Sequence, residues 1–396
     1  MKILNNNFKR NVINVPSSKS YINRALIIAS ITEEPVTIIN VSYSQDVLDL
    51  INNLKKLGLK IIQKDDQVII QNSFPSCENE NKTSSFNLGE GGTTSRFFMA
   101  LLSLGRKSYT VDVSPSMRKR PVEPLLDSLK KLEVKIDTTP DIYPISLRGP
   151  IRPKDIEIDC GLSTQFFTAI RLITHQLKMN IKPLNLKSSL TYVKMTEEII
   201  QQLNQYNKFE VPVDFSSLAN MAALGLVFDG VEISNCFKKD EFQSDSQILN
   251  FIEMQNGHYY FSANGLEIKP LAKIIPFEWD CADCLDLVPV LCFMAAKARG
   301  KTLLRNVENL IYKESNRLEE IQKILADFGV NSSFDYKKRE LQINCTGVIK
   351  PLKEYRPVAD HRLVMMSALF LIASGGGKIY NTEAVNKSFP GFFEIL

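Results

Sequence analysis

A mixed α/β protein of two domains is predicted from three features of the 396-residue sequence. Apolar stretches of helical length recur along the chain, short β-like runs lie between them, and a proline stands between β-branched residues at Glu210-Val211-Pro212-Val213, near the middle. A composition 44% hydrophobic and 23% charged excludes a disordered chain, a coiled coil and a collagen-like repeat. At roughly 100–200 residues per domain, the length suits two or three domains, each with a full core.

The first apolar stretch, Ser20–Ile31, follows Pro16 and two serines and has the Ala/Leu/Ile content of a buried helix. Val36–Val41 and Gln67–Ile70 read as strands, and the polar Ser73–Ser85, rich in Asn, Ser and Lys, as a surface loop. A Gly-rich turn opens the helical stretch Ser95–Leu104. Strands follow at Tyr109–Val113, Val134–Asp137 and Ile156–Cys160, then a helix at Thr164–Leu177. Past the central break, Ser217–Val227, Leu285–Ala298 and Arg362–Ser374 read as buried helices. Their strands are Val231–Ser234, Leu266–Lys269, Thr302–Val307, Leu341–Cys345 and Lys378–Tyr380. A small or hydroxylated residue, an apolar stretch, a turn and a β-like run thus recur about six times, the mark of an internally repetitive chain.

Charge narrows the function. Lys and Arg number 48 against 44 Asp and Glu, a net charge of +4 without long like-charge blocks, so nucleic acid is not the expected partner. Small acidic ligands remain compatible where basic residues cluster. The N-terminus turns polar at Asn5-Asn6-Asn7 before an apolar signal core forms, which predicts a cytoplasmic protein. The longest apolar run, Leu363–Ala373, is about half the roughly 20 residues of a membrane span, so no membrane partner is expected. Seven scattered cysteines read as reduced thiols; Cys281 and Cys284 lack a second C-x-x-C, and no metal is expected.

Several short segments carry chemistry. In Ser17-Ser18-Lys19-Ser20-Tyr21-Ile22-Asn23-Arg24, Ser20 and Arg24 share a helical face, and Lys19 sits at the positive end of the helix dipole. Gly89-Glu90-Gly91-Gly92-Thr93-Thr94-Ser95-Arg96 is a turn whose amides can approach an oxyanion, with Arg96 adding a bidentate fork. It is not a P-loop, and neither is Gly375-Gly376-Gly377-Lys378, which Ile379 follows. Arg120 precedes Pro121, read as the start of a helix. Lys313 and Arg317 are placed on one helical face with Glu314 beside them, and Asp360-His361-Arg362 caps an apolar helix. Lys387-Ser388-Phe389-Pro390 lies near the end. Each alone is an ordinary cap or ion pair. Together they aim basic groups at small, multiply charged anions.

In order, S-K-S-x-x-N-R, G-x-x-G-T-T-x-R, R-P, S-T-Q-F, K-E-S-x-R, D-H-R and K-S-F-P resemble the motifs of the enolpyruvyl transferase family, from Ser18 to Pro390. The resemblance implies two domains, each of three βαβαββ units with buried helices, in an inverse α/β barrel-like arrangement. It puts residues 19–212 in one domain and 1–18 with 213–396 in the other, the active site in the cleft between them. It also implies transfer of an enolpyruvyl group from phosphoenolpyruvate to the 5-hydroxyl of shikimate 3-phosphate, releasing phosphate, by a monomer without cofactor or metal. Carried over by motif, Lys19, Gly92, Arg96, Arg120, Gln165, Lys313, Arg317, Arg362 and Lys387 surround phosphoenolpyruvate. Ser20, Arg24, Ser163, Thr164, Gln165, Ser189, Tyr192, Asp286, Asn309 and Lys313, with Lys19, hold shikimate 3-phosphate. Asp286 is then the base for the hydroxyl and Glu314 the acid for the methylene carbon, Lys19 assisting at the leaving phosphate. Glu314, between two cations, needs bound anions to raise its proton affinity.

The chain departs from the family pattern in a few places. Glu90 stands where Asn is usual, Thr164 replaces a second Ser, Asn316 replaces Asp in a way expected to loosen Arg317, and Phe97 follows Arg96 where Pro is common. The branch that uses UDP-N-acetylglucosamine as acceptor is the nearest alternative. Its members usually carry a Cys where this chain has Pro115. A non-catalytic ligand-binding paralogue is the other alternative, opposed by the retention of Lys19, Asp286, Glu314, Arg362 and Lys387.

Overall fold

The computed structural model describes the chain except residues 7, 10, 81, 82, 187 and 188. It divides into two compact units, Ser17–Pro212 and Met1–Pro16 with Val213–Leu396. The first is the N-terminal unit and the second the C-terminal unit.

Each unit holds three mutually packed helices whose residues are buried on nearly every side. They are Lys19–Ile31, Gly92–Leu102 and Gln165–Thr174 in the N-terminal unit, and Phe215–Val227, Val288–Lys297 and His361–Ala373 in the C-terminal unit. A helix apolar all round cannot sit at a water-facing surface, so these six become the centres. The expected helix at Leu285–Ala298 begins as a 3-10 turn, Leu285–Leu287, and turns α-helical from Val288, where Pro289 fits the first turn. Arg120-Pro121 does not open a helix: the next one is Glu123–Lys131, with Pro124 in its first turn.

The sheets repeat one pairing pattern. Ser85–Asn87 pairs parallel with Ser108–Asp112, which is antiparallel to Ile142–Arg148, itself antiparallel to Lys135–Thr139. Glu278–Asp280, Arg299–Arg305, Glu340–Thr346 and Asn331–Asp335 repeat this arrangement, each set being a βαβαββ unit in chain order. The first repeat of each unit takes its leading strand from a distant part of the chain. Lys208–Glu210 pairs with Val36–Ile39, and Val12–Ile13 with Val231–Ile233. The third repeats are shortened, to Ile156–Asp159 with Ile181–Leu184, and to Glu354–Tyr355 with Gly377–Ile379, the latter joined by Lys2–Leu4. Among the described residues no sheet closes into a barrel, and each unit has the expected buried helices, gathered as a trio.

Five further helices, Gln45–Lys56, Glu123–Lys131, Leu190–Gln205, Gln247–Met254 and Arg317–Asp327, bury one stripe only, as Val47, Leu50, Ile51 and Leu54 do. A search for wholly apolar runs passes over them. Ser73–Ser85 is not simply a surface loop, since Phe74, Cys77 and Glu78 are buried. Glu78 Oε1 accepts from the Arg106 and Lys107 amides and the Tyr109 hydroxyl at 2.7, 2.9 and 2.7 Å. Residues 81 and 82 of that segment lie outside the described residues. No helix among them is long and apolar enough to cross a membrane.

Candidate active site

The chemistry-bearing residues collect at the N-terminal ends of the two helix trios. In the C-terminal unit, Asp360 caps His361–Ala373 through the Arg362 amide at 3.0 Å. Arg317 opens the helix Arg317–Asp327, so Lys313-Glu314-Ser315-Asn316 is a turn and not a helical face. Asn316 is the cap, its Oδ1 accepting from the Glu319 amide. Arg317, 1% exposed, gives its whole fork to carboxylates: Nε to Asp360 Oδ2 at 2.7 Å, one terminal nitrogen to Asp286 Oδ1 at 2.9 Å, the other to Glu314 Oε2 at 2.5 Å. The loosening expected from Asn316 is therefore absent, because Arg317 is held by residues other than its neighbour.

Asp286 is the hub of this cluster. Lys313 Nζ lies 3.3 Å from its Oδ1, and Arg362 is 3.0 Å from its Oδ2. Burial alone pushes the Asp286 carboxyl up, but Arg362, Lys313 and Arg317 outweigh it and hold the group well below the usual carboxylate range. Burial likewise works against the Arg317 charge, and Asp360, Glu314 and Asp286 overcome it, raising the guanidinium above its ordinary value. Glu314 stands between Arg317 and Lys387, whose Nζ is 3.8 Å from Oε1. Lys313, Arg362 and Lys387 are the cations that keep some exposure here.

In the N-terminal unit, Lys19 Nζ is 2.7 Å from Asp46 Oδ2 at the start of Gln45–Lys56. Gly92 lies directly under the Arg120 guanidinium: a Cβ there would stand 2.7 Å from both terminal nitrogens, so a larger residue has to push the fork from this position. Arg96 donates to Gln165 Oε1 at 2.5 Å and to the Pro121 carbonyl at 2.6 Å, with Phe166 beneath it at 4.9 Å. Ser163, Thr164 and Gln165 form the entrance to Gln165–Thr174, the Gln165 amide reaching Ser163 Oγ at 3.2 Å.

Arg24, expected to contact shikimate 3-phosphate, is buried, bonded to Thr196 Oγ1 and the Ser20 carbonyl, both at 2.9 Å, and lies 5.4 Å from the Phe97 ring and 5.6 Å from Tyr192. Burial lowers its pKa to about 10, with Tyr192 and Tyr21 opposing. Phe97 at the usual proline position thus serves as a face for this cation. Glu90 is exposed, where water screens its extra charge. Ser189 and Asn309 are joined to these pairs by no side-chain hydrogen bond among the described residues; Ser189 takes a left-handed backbone, φ 59°, before Leu190–Gln205. Sequence reading missed Asp46, Thr196, Ser216 and Asp245 and took Asp360 for a cap alone. Nothing local marks them, since their partners are remote in the chain. Among the described residues no group of three or more His, Cys, Asp or Glu is arranged to hold a metal ion.

The fold is that of the enolpyruvyl transferases. An EPSP synthase from Acinetobacter baumannii superposes with a TM-score of 0.77 at 20% identity, covering 99% of this chain and 97% of that one. The enolpyruvyl transferase NikO from Streptomyces tendae gives 0.77 at 14% identity, covering 100% and 95%. The family model described as EPSP synthase (3-phosphoshikimate 1-carboxyvinyltransferase) matches residues 6–206 and 201–396. The chain belongs to the EPSP synthase family. A 3-phosphoshikimate 1-carboxyvinyltransferase from Archaeoglobus fulgidus is 30% identical over 96% of this chain and 94% of its own length. One from Pyrococcus abyssi is 28% identical over 97% and 93%.

Proposed function

We infer that this chain is a 3-phosphoshikimate 1-carboxyvinyltransferase, moving the enolpyruvyl group of phosphoenolpyruvate onto the 5-hydroxyl of shikimate 3-phosphate with release of phosphate. The observation that carries the chemistry is the gathering of Lys313, Arg362 and Lys387 around Asp286 and Glu314. It offers partly exposed cations for a dense anion and two carboxylates for proton transfer.

In this reading Arg362, Lys387 and Lys313 take phosphoenolpyruvate with Gly92, Arg96, Arg120 and Gln165. Arg317 joins them only where the anion displaces Asp286 or Glu314 from its fork. Lys19, Ser20, Arg24, Ser163, Thr164, Ser189, Tyr192 and Asn309 address shikimate 3-phosphate, Arg24 also ordering Ser20 and Tyr192. Asp286 takes the hydroxyl proton. Its low proton affinity in the substrate-free cluster rises when the ligand anions draw Arg362 and Lys313 away, so the base strengthens as the substrates arrive. Glu314 delivers a proton to the methylene carbon, and Lys19 stabilises the departing phosphate. The enzyme works as a cytoplasmic monomer on two small substrates.

The test is phosphate release from phosphoenolpyruvate with shikimate 3-phosphate and, in parallel, UDP-N-acetylglucosamine as acceptor. Release with the first alone is expected. Release with the second alone overturns the acceptor, and binding of shikimate 3-phosphate without release identifies a non-catalytic paralogue. Glu314→Gln should cut turnover about a hundredfold while sparing shikimate 3-phosphate binding. Unchanged turnover removes Glu314 from the acid role.

A further inference from the structure

Asp245 is a buried carboxyl in the 3-10 turn Ser244–Ser246, 2% exposed. Its Oδ2 accepts a hydrogen bond from the Ser216 hydroxyl and lies 4.0 Å from an Arg362 terminal nitrogen. Ser216 Oγ in turn accepts from Arg362 at 3.3 Å. Asp245 Oδ1 is buried with no hydrogen-bond partner among the described residues. An unsatisfied buried carboxylate oxygen costs more as an anion than as a neutral protonated group.

Arg362 therefore has two carboxylate neighbours with unequal support. Asp286, at 3.0 Å, is shared with Lys313 and Arg317. Asp245 faces Ser216 and the like charge of Asp214 from the segment that opens Phe215–Val227, the like charge of Asp286 from Leu285–Leu287, and Arg362 from His361–Ala373. We propose that Asp245 is a positioning residue for Arg362: as a carboxylate it steadies the guanidinium in the empty site, and it takes up a proton from solvent when phosphoenolpyruvate claims Arg362.

The inference rests on the reading that Arg362 binds phosphoenolpyruvate. Burial, only partly offset by Arg362, already pushes the Asp245 carboxyl up to about 6. Three cations hold Asp286 far lower against its own burial. An anion arriving at Arg362 adds negative charge beside both carboxylates, and the less compensated one protonates first. Binding is then linked to a proton, and affinity for phosphoenolpyruvate falls as pH rises and the proton becomes harder to supply.

The test is the pH profile of kcat/KM for phosphoenolpyruvate in wild type and Asp245→Asn, whose neutral amide needs no proton. The ratio of the two removes the ionisation of the substrate itself. Relative to the variant, wild type should lose about tenfold between pH 6.5 and 8.5, chiefly through KM. Ser216→Ala removes the hydrogen bond that favours the ionised form and should move this fall to higher pH. It decides the matter if Asp245→Asn does not fold. A wild-type to variant ratio that stays constant with pH, in an active wild type, overturns the proposal even if KM changes uniformly. No turnover of shikimate 3-phosphate by wild type overturns the functional reading and this inference together.

Discussion

In the C-terminal unit, two of the three central helices begin at an aspartate that accepts a first-turn amide, Asp214 from Ser217 at 2.7 Å and Asp360 from Arg362 at 3.0 Å. In the N-terminal unit the corresponding residues, Ser18, Gly91 and Thr164, make no side-chain cap. The same architecture thus ends in opposite electrostatics. Each capped helix end in the C-terminal unit has given a first-turn amide to a fixed carboxylate, and one of these, Asp360, in turn holds Arg317. At the helix entrances of the N-terminal unit only the Gln165 amide, among the described residues, meets a side-chain oxygen, Ser163 Oγ, and the entrances at Ser18 and Gly91 carry no side-chain cap beside the basic Lys19, Arg96 and Arg120. One unit is a preassembled ion network, and in the other the capping positions carry few fixed side-chain partners.

Breaking the C-terminal network should have the largest effect. Asp360→Asn leaves the buried Arg317 without its most deeply buried ionic partner and should cost about 3–5 kcal/mol in urea-induced unfolding. A loss under about 1 kcal/mol would mean that Asp286 and Glu314 suffice. In the N-terminal unit the expected damage is to binding. Gly92→Ala drives a methyl into the Arg120 guanidinium and should raise KM for phosphoenolpyruvate about 10- to 100-fold with little change in unfolding free energy. An unchanged KM would show Arg120 free to step aside.

The contrast in caps sharpens at smaller scale. Asp214→Ala should cost about 1 kcal/mol of stability, and Ser18→Ala only a few tenths, by thermal unfolding of each variant. Equal losses would erase the distinction drawn above. The smallest effect is expected where an arginine fork is exposed. Arg171 meets Glu197 at 2.6 and 2.7 Å, a geometry as good as that of Arg317, yet Glu197→Gln should cost about 0.5 kcal/mol or less because water screens the pair.

The six central helices were legible because their sequences are apolar without a polar face, as in Phe215–Val227. The outer helices were not, because a single buried stripe such as Val47, Leu50, Ile51 and Leu54 is diluted by Asp46, Asn52 and Lys55 in any average over the stretch. Edge strands such as Ile61–Lys64 escaped for a similar reason: they are largely exposed and lack in/out alternation. At the site, Lys19, Glu314 and Arg362 announced themselves through contiguous motifs, whereas Asp46, Asp245 and Thr196 stand outside any motif.

By itself, then, the sequence determined the class of fold, the positions of its buried helices and the identity of most basic groups, because each is written in a run of neighbouring residues. Only the tertiary structure decided which polar group meets which. Lys19 finds Asp46 27 positions away, Arg317 finds Asp360 43 away, and Arg24 finds Thr196 172 away. Pairing energy depends on distance through space and on exclusion of water, neither of which chain separation encodes.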